Sequence, residues 1–342
     1  MKKHIIDDVE LVLAEPVEQD LQWIGQEDLV EQILASWLVV GETDLPLCPR
    51  LIGKPGVGKT TLAYFAARSL GLPAYIHQCT VDTRPEDLLV TPVLSQKGTI
   101  SYHASALVSA MIRGAVVILD EANRMSEKSW ASLAPLLDHR RYVESIAAGI
   151  RIPANPDFRA CVTMNEDAST YEIPDYMLSR IQPTVEVAFP ERDEEFQILK
   201  YHLPFAPEDI LKLTVDFLQE GHQHGLGYST RDGINIIRYA CKMAHRRTQK
   251  AQGDKPGTPA KKATGPAKMD EEAVDELFHR SVRQILGPDA MDFEKVTLKN
   301  EPPKYLDLRE FFASVDDLGE DDELGEDDDD LSGEPEDPST EK

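Results

Sequence analysis

The sequence predicts an α/β fold, in which a parallel sheet wrapped by helices precedes a small all-α domain and a disordered acidic tail. Three observations predict it. From about Leu21 to Pro190, short apolar runs typical of buried strands alternate with helical patterns. From Glu194 onward only helical patterns occur. Residues Val315–Lys342 then carry fifteen acids and one lysine, with too few apolar residues to offset chain entropy. We expect domains at 1–192 and 193–300 and a tail at 315–342.

Five short apolar segments form the predicted sheet, and helical patterns separate them. The predicted strands are Arg50–Ile52, Ala74–Gln78, Ala115–Asp120, Arg159–Met164 and Thr184–Ala188. The helical patterns are Glu27–Val39, Lys59–Ser69, Glu127–Leu137 and a stretch near Glu172–Ile181. Pro49 cannot donate a ladder hydrogen bond, so we expect the first strand to be short.

The second half of the chain reads as a helical domain that a flexible loop interrupts. Its predicted helices are Glu194–Tyr201, Pro207–Gln219, Arg231–Arg247 and Asp270–Leu286. Gln249–Lys268 is rich in Gly, Pro, Ala and Lys, a composition typical of a solvent-exposed loop.

The formal net charge of −25 is unevenly distributed along the 342 residues. The tail Val315–Lys342 contributes −14, and the basic stretch Lys242–Lys268 contributes +7, which leaves −18 for the remainder. Because phosphate affinity comes mainly from lysine and arginine, so acidic a body argues against a general nucleic-acid coat.

Other segments and the cysteines favour a cytoplasmic protein. The first ten residues lack the apolar core of a secretory signal. The longest apolar run, around Leu107–Leu119, is interrupted by Arg113 and is too short for a membrane span. The four cysteines lie far apart without a CxxC pair, as expected for reduced, buried thiols.

A phosphate-binding motif occupies residues 53–60, in the order Gly53-Lys54-Pro55-Gly56-Val57-Gly58-Lys59-Thr60. This pattern, G-x-x-x-x-G-K-[ST], follows a predicted strand and opens a predicted helix that continues through Thr61. Glycines let consecutive backbone N–H groups converge on phosphate oxygens, and the helix adds its positive end. Lys59 would reach the β- and γ-phosphates of ATP, and Thr60 would offer its hydroxyl to Mg²⁺.

Two adjacent carboxylates, Asp120 and Glu121, end the most apolar predicted strand. Ligands of open α/β sheets bind beyond the carboxyl ends of the strands, so both side chains should face the phosphate site. Asp120 is placed to hold Mg²⁺ together with Thr60, and Glu121 to polarise a water for attack on the γ-phosphate.

These motifs, with Leu119-Asp120-Glu121-Ala122-Asn123-Arg124 and the segments that follow, resemble AAA+ ATPases, and more narrowly the MoxR branch related to CbbQ proteins. The resemblance runs from about Leu21 to Leu286. It implies a P-loop AAA+ sheet with a helical lid, ATP and Mg²⁺ as ligands, and a ring that is most often hexameric. It also implies remodelling or activation of a client protein, with a von Willebrand factor A domain protein as the leading partner.

The resemblance also implies roles for residues outside the two motifs. Ile24-Gly25-Gln26-Glu27 is similar to the segment near the adenine, and Asn165 matches the sensor-1 amide that orients the attacking water. Arg180 matches the arginine finger, which acts on the ATP of a neighbouring subunit. Arg231 matches the sensor-2 arginine, in a helix that Ser229 or Thr230 would cap.

Asp87–His103 matches the helix-2 insert of the MoxR branch and reads as a hairpin of Val90–Leu94 and Thr99–His103 around Gln96-Lys97-Gly98. It would contact substrate or partner; an edge hairpin without a partner is the alternative. Arg124, Arg140 and Arg141 fall where the family has arginines near the subunit interface, and the sequence does not decide between the last two.

Two other functions stay open at the level of sequence. A nucleic-acid-acting AAA+ protein, such as a loader or a restriction-type translocase, would need a basic surface, for which only Lys242–Lys268 is available. A nucleotide-gated scaffold with little turnover would not need Glu121 and Asn165. His222-Gln223-His224 could suggest a metal pair, but a third ligand is missing nearby, so a loop histidine pair is the simpler interpretation.

Overall fold

Eleven strands, ten α-helices and one short 3₁₀ helix (Ala122–Arg124) are formed by the part of the chain that the computed structural model describes, which is residues 2–94, 98–166, 172–251, 271–293 and 296. The strands are β1 (Lys3–Ile6), β2 (Val9–Val12), β3 (Arg50–Gly53), β4 (Ala74–Gln78), β5 (Val90–Leu94), β6 (Ile100–Ala104), β7 (Val116–Asp120), β8 (Tyr142–Ser145), β9 (Ile150–Pro153), β10 (Arg159–Asn165) and β11 (Thr184–Glu186). The helices are α1 (Glu27–Trp37), α2 (Lys59–Ser69), α3 (Pro85–Leu88), α4 (Ala106–Arg113), α5 (Glu127–Leu133), α6 (Asp175–Leu178), α7 (Arg192–His202), α8 (Glu208–Gln223), α9 (Thr230–Ala251) and α10 (Glu271–Leu286).

The central sheet has the strand order β11-β3-β10-β7-β4, and every neighbouring pair is parallel. The predicted parallel sheet wrapped by helices is therefore confirmed. In the register, Asn165 lies opposite Gly53 and Val162 opposite Leu119. This alignment brings the carboxyl ends of β3, β7 and β10 to one edge of the sheet.

Both faces of the sheet are buried, as continuous apolar strands require. On β7, Val117 and Leu119 join the core on one face, whereas Val116 and Ile118 join the core on the other. Alternation of side chains along the strand produces this division. Trp37 of α1 is also buried, and its indole N–H donates to the carbonyl of Ala160 at 2.9 Å, which fixes α1 against β10.

A second, four-stranded sheet of order β1-β2-β6-β5 lies outside the central one. Its β5–β6 pair confirms the predicted hairpin, although Ser95–Lys97 of the turn lie outside the described residues. The sequence pattern missed β1 and β2. Leu11, which is fully buried, pairs with Tyr102, so the amino terminus closes this sheet through a contact far along the chain.

The helices α7–α10 have a core of their own, formed largely by buried aliphatic side chains such as Leu199, Ile210, Leu218 and Ile236. The four predicted helices are confirmed with shifted ends. One boundary was wrong: α9 continues to Ala251, so the loop predicted at 249–268 cannot begin at Gln249. Residues 252–270 and the tail 315–342 lie outside the described residues. The division at 192/193 remains a prediction.

Within the described residues, no helix combines the length and the apolar character that crossing a bilayer demands. All four cysteines are free, and Cys48, Cys79 and Cys161 are buried. Burial raises the pKa of the Cys48 and Cys79 thiols to about 12, which leaves both protonated and unreactive.

Candidate nucleotide-binding and active site

The loop between β3 and α2 has the backbone conformation that a phosphate cradle needs. Gly56 and Gly58 adopt φ values of 85° and 98°, in the left-handed region that favours glycine. A Cβ atom at Gly56 would lie 2.5 Å from Ser229 Oγ, and one at Gly58 would lie 3.2 Å from the Trp23 ring. The two glycines therefore serve both the turn and the close approach of neighbouring segments.

Lys59 begins α2, and its side chain folds back into the loop. Its Nζ donates to the carbonyls of Gly53 and Lys54 at 2.7 and 2.8 Å, and the residue is buried. Burial lowers the pKa of Lys59 to about 8, against the neighbouring charges of Asp120, Glu166 and Glu121, which raise it. Backbone carbonyls thus orient the ammonium group, and a bound anion would stabilise its charged form.

Asp120 is the centre of a hydrogen-bond network that links three elements. Its Oδ1 accepts from the hydroxyl of Thr60 at 2.6 Å and from that of Thr163 at 2.5 Å. Thr163 Oγ1 in turn accepts from the backbone N–H of Glu121 at 3.0 Å. Residues from α2, β7 and β10 therefore meet at the carboxyl edge of the sheet.

Glu121 follows β7 and is held on both carboxylate oxygens. Asn165 Nδ2 donates to Oε1 at 3.0 Å, and the Arg124 guanidinium forms an ion pair with Oε2 at 2.7 Å. Asn123 Nδ2 donates to the backbone carbonyl of Asn165 at 2.9 Å and thereby ties β10 to the turn after β7. The backbone of Glu121 has φ 54°, a strained conformation for a non-glycine residue and one that occurs at functional sites.

The amino-terminal end of α9 lies against the phosphate loop. Ser229 caps this helix: its hydroxyl accepts from the backbone N–H of Asp232 at 3.4 Å, and Asp232 Oδ2 accepts in return from the backbone N–H of Ser229 at 2.8 Å. Arg231, in the first turn, lines the same cavity of about 100 Å³ as Gly58, Lys59, Asp120 and Asn165. The resemblance left Ser229 and Thr230 as possible caps, and the structure selects Ser229.

A second cavity of about 220 Å³ continues from the first and shares Gly56, Gly58, Thr61 and Arg231 with it. Gln22, Trp23 and Ile24 from the segment before α1 line one wall, and Ile198, Tyr201 and His202 of α7 line the other. The indole nitrogen of Trp23 is buried there without a hydrogen-bond partner among the described residues. The two cavities together have the form of a base pocket that joins a phosphate pocket.

The segment before α1 is fixed to the helical part through Glu194. Gln26 N donates to Glu194 Oε1 at 2.9 Å, and a Cβ atom at Gly25 would lie 2.3 Å from that same oxygen. Gly25 has φ 77°, so glycine is required for both conformation and space. No local sequence pattern points to Glu194, because its partner Gln26 lies 168 positions away.

Arg180 lies apart from this cleft, beside Asp138. Its Nη2 is 3.4 Å from Asp138 Oδ2, and it donates through Nη1 to the carbonyl of Tyr176. Arg140 binds the same carboxylate, with Nε 3.0 Å from Oδ1 and Nη2 2.8 Å from Oδ2. The hydrogen bonds from Arg140 hold the pKa of Asp138 well below its ordinary value. The carboxylate therefore stays ionised between two arginines.

The side chains of Arg140 and Arg141 point in different directions, and the sequence could not predict which of them faces outward. Arg141 donates to the Phe158 carbonyl at 2.8 Å and places its guanidinium carbon 5.4 Å from the Phe158 ring centre. The Arg140 side chain keeps 41% of its surface exposed. Of the pair, Arg140 is the one that faces outward.

Both histidines of the predicted pair, His222 and His224, contact other groups of the protein. His222 Nε2 lies 2.6 Å from the carbonyl of Tyr228, and its ring stacks on Phe189 with centres 3.9 Å apart. His224 stacks on Phe293. Among the described residues, no group of three or more His, Cys, Asp or Glu side chains has the arrangement of a metal site.

Of the predicted residues, the structure brings Gly53–Thr61, Asp120, Glu121, Asn165 and Arg231 together, and it places Arg180, Arg140 and Arg141 elsewhere. Sequence reasoning missed Thr163, Asp138 and the wall formed by Trp23. For Thr163 a signal existed, since it precedes Asn165 by two positions and shares its strand end. The donor set suits a magnesium-bound nucleoside triphosphate: a hydroxyl and a carboxylate for a hard cation, beside a buried ammonium for phosphate.

Comparison with known proteins agrees with this geometry. Residues 50–181 match the family model of the AAA domain, dynein-related subfamily. Protein CbbQ of Hydrogenophilus thermoluteolus is 25% identical over 56% of this chain, and Chaperone MoxR1 of Mycobacterium tuberculosis is 27% identical over 54%. The chain is therefore similar to MoxR-like AAA+ ATPases.

Another relative of this MoxR-like chain is the mouse von Willebrand factor A domain-containing protein 8, with 28% identity over 56% of this chain. The aligned stretches span 11% of the mouse protein, 71% of CbbQ and 46% of MoxR1. A RuvB structure from Thermotoga maritima, at 16% identity, covers 79% of this chain and 74% of its own with a TM-score of 0.50. At that identity the likeness shows the fold alone, and it is the AAA+ fold.

Proposed function

We propose that this MoxR-like protein hydrolyses ATP in a ring of its own copies and uses the cycle to remodel or activate a partner protein. The observation that carries the proposal is the set of side chains around Glu121. Its carboxylate lies beside the Thr60–Asp120–Thr163 network and accepts from Asn165, in one cleft with the phosphate loop. A nucleotide-gated scaffold would have no use for such a set.

The chemistry assigned to these residues is attack of a water on the γ-phosphate. Glu121 accepts the proton of the water, the water oxygen forms the new bond to phosphorus, and ADP leaves with the electrons of the broken P–O bond. Asn165 orients the water without competing for its proton. Lys59 and the backbone N–H groups of the loop bind the phosphates, and Arg231 contacts the γ-phosphate from the lid.

Thr60 and Asp120 would hold Mg²⁺, which, when bound, neutralises charge on the phosphate oxygens. The hydrogen bond between the two residues, 2.6 Å, already places both oxygens on one side of the cleft.

Ring action is proposed from the position of Arg180. It lies outside the cleft that holds Lys59 and Glu121 of its own chain, so it can serve ATP only in a neighbouring copy. An arginine supplied in trans requires a head-to-tail interface, and such interfaces can close into rings, here a hexamer. Interface roles for Arg140 and Arg124 belong to the same proposal, although Arg124 pairs with Glu121 in its own chain.

A von Willebrand factor A domain protein is the partner we propose. The mouse relative is named for such a domain and contains a stretch similar to this chain, which supports an association between the two kinds of domain. A cytoplasmic location is proposed with it, because four free cysteines suit a reducing compartment.

Two substitutions test the hydrolytic assignment. Glu121→Gln keeps the shape of the side chain and removes the base, so we expect ATP binding to persist while turnover falls about a hundredfold or more. Lys59→Ala removes the buried ammonium and should abolish binding. Binding is measured by calorimetry and turnover by phosphate release, with Glu127→Gln, an exposed carboxylate of α5, as the matched control. Unchanged turnover in Glu121→Gln would show that Glu121 is not the general base.

A further inference from the structure

A strap of chain, residues 13–24, joins the four-stranded sheet to the nucleotide cleft. It continues directly from β2, and its last three residues, 22–24, line the base pocket. The structure describes the whole strap, which forms no helix or strand apart from one bridge between Val17 and Ala74 of β4. An irregular segment is ordered only where other elements hold it, because its own backbone supplies few hydrogen bonds.

At the sheet end, α4 and β4 hold the strap. Ala14 N donates to the hydroxyl of Ser109 at 2.8 Å, and Ser109 is fully buried in α4. Val17 N donates to the carbonyl of Ala74 at 2.8 Å. The strap therefore cannot shift at this end without breaking hydrogen bonds to two elements.

At the cleft end, a tyrosine of the helix that follows the phosphate loop holds the strap. The hydroxyl of Tyr64, in α2, accepts from Gln19 N at 2.8 Å and donates to the Gln19 carbonyl at 2.9 Å. Tyr64 is 1% exposed, so its hydroxyl is fixed within the core. Tyr201 of α7 donates to the Asp20 carbonyl at 3.2 Å. The strap is thus attached both to the helix that begins with Lys59 and to the helical lid.

Beyond its sheet end, the strap is continuous with β2, which pairs with β6 through Leu11 and Tyr102. Strand β6 pairs in turn with β5. This hairpin carries two exposed aliphatic side chains as cross-strand neighbours, Leu94 at 72% and Ile100 at 62% exposure. A displacement of the strap would therefore reach an apolar surface at the far side of the sheet.

We infer that the strap couples the nucleotide cleft to the four-stranded sheet, so that a bound nucleotide orders β2 and the β5–β6 hairpin. The inference rests on the proposed binding of ATP in this cleft. Because residues 22–24 line the base pocket, an occupant of that pocket restricts the cleft end of the strap. The anchors at Tyr64 and Ser109 keep the strap taut, so the restriction is passed on to β2. Such coupling acts in both directions, so a partner that orders the hairpin would tighten nucleotide binding by the same factor.

Hydrogen exchange of the full chain, followed by mass spectrometry with and without ADP and magnesium, tests the coupling. ADP is the probe because it has no γ-phosphate to be hydrolysed. Tyr64→Phe removes the hydroxyl that holds the strap at the cleft end, and Ser109→Ala removes the anchor in α4. Tyr239→Phe and Ser69→Ala lose the same kinds of hydroxyl from α9 and α2 without touching an anchor of the strap, and they are the matched controls.

In the wild type we expect ADP to slow exchange about tenfold both in residues 53–61 and in β2. The two anchor variants should keep the slowing in 53–61, which shows that they fold and bind ADP, and should lose most of it in β2. Both controls should behave as the wild type does.

A wild type in which ADP protects residues 53–61 but not β2 would overturn the inference and leave the proposed function intact. Anchor variants in which ADP still protects β2 would overturn it as well. A wild type in which ADP does not protect residues 53–61 would contradict the proposed function itself, and the inference with it.

Discussion

At the scale of single residues, Thr163 belongs to no motif that the sequence singled out, yet its hydroxyl links both carboxylate residues of the site. Its hydroxyl donates to Asp120 at 2.5 Å and accepts from the Glu121 backbone at 3.0 Å, so one buried group fixes both carboxylate residues. Without it, the Glu121 N–H would be left unpaired in the interior, which costs about 1–3 kcal/mol. Since φ of Glu121 is already strained, that bond helps to hold its turn.

We therefore predict that Thr163→Val lowers the turnover number about tenfold to a hundredfold while the affinity for ATP changes little, because the loop that binds phosphate is not touched. Thr163→Ser keeps the hydroxyl and should restore most of the activity. Steady-state kinetics separate turnover from KM. Equal losses in the valine and serine variants would show that the hydroxyl by itself does not account for the effect.

At the scale of elements, Glu195 joins three helices beneath the lid. This fully buried carboxylate of α7 accepts from Gln219 Nε2 of α8 at 2.9 Å and from the hydroxyl of Thr230, at the start of α9, at 2.9 Å. Gln219 also donates to the Pro190 carbonyl, in the connection to the sheet, at 3.0 Å. Thr230 precedes Arg231, so this group braces the end of α9 that enters the nucleotide cleft.

Burial raises the pKa of Glu195 to about 7, while the hydrogen bonds from Gln219 and Thr230 lower it. In the unfolded chain the group ionises near its ordinary value, so folding favours the protonated form. Glu195 therefore contributes stability that is present below about pH 4.5 and is lost as the pH rises towards 7. Ionisation in the folded state destabilises the protein at neutral pH.

Glu195→Gln removes that ionisation, so we predict a gain in unfolding free energy of roughly 3 kcal/mol at pH 8 relative to its effect at pH 4.5. Urea denaturation of both proteins across this range measures the difference, which should grow up to about pH 7 and then level off. Glu220→Gln, an exposed position of α8, is the control. A difference that does not vary with pH would contradict the burial argument.

At the scale of the whole molecule, the cleft supplies Lys59, Glu121 and Arg231 from one chain, and Arg180 is turned towards a separate cavity. If Arg180 acts in trans as proposed, hydrolysis would depend on assembly of the copies. The Asp138 carboxylate holds Arg180 and Arg140 side by side, so both are presented as one cationic group.

Mixing experiments address this division. Arg180→Ala and Glu121→Gln subunits should each be nearly inactive alone, yet an equal mixture should regain activity where an intact cleft meets an intact finger. Random assembly makes about one quarter of the interfaces competent. Phosphate release from the mixtures is the measurement. If no ratio of the two regains turnover, Arg180 does not act in trans.

Those parts of the protein that depend on neighbours in sequence were predictable from the sequence. The loop from Gly53 to Thr60, its strand and its helix follow from glycine conformations and a helix start, all within about ten residues. Asp120 and Glu121 were found because an apolar strand ends in them. The hairpin of β5 and β6 was found from its own alternation. Each of these signals is local, and the structure contains the predicted element at nearly the predicted residues.

Tertiary structure alone decided the contacts between distant segments. Strands β1 and β2 are four residues each and carry too short a pattern to recognise; Leu11 is buried only because β6 lies beside it. Thr163 reaches Asp120 across the sheet, Ser229 meets Gly56 from the lid, and Asp138 gathers Arg140 and Arg180. The spacing of these residues along the chain does not predict such pairings. They are set by strand register and by packing of the helices, and these exist only once the chain has folded.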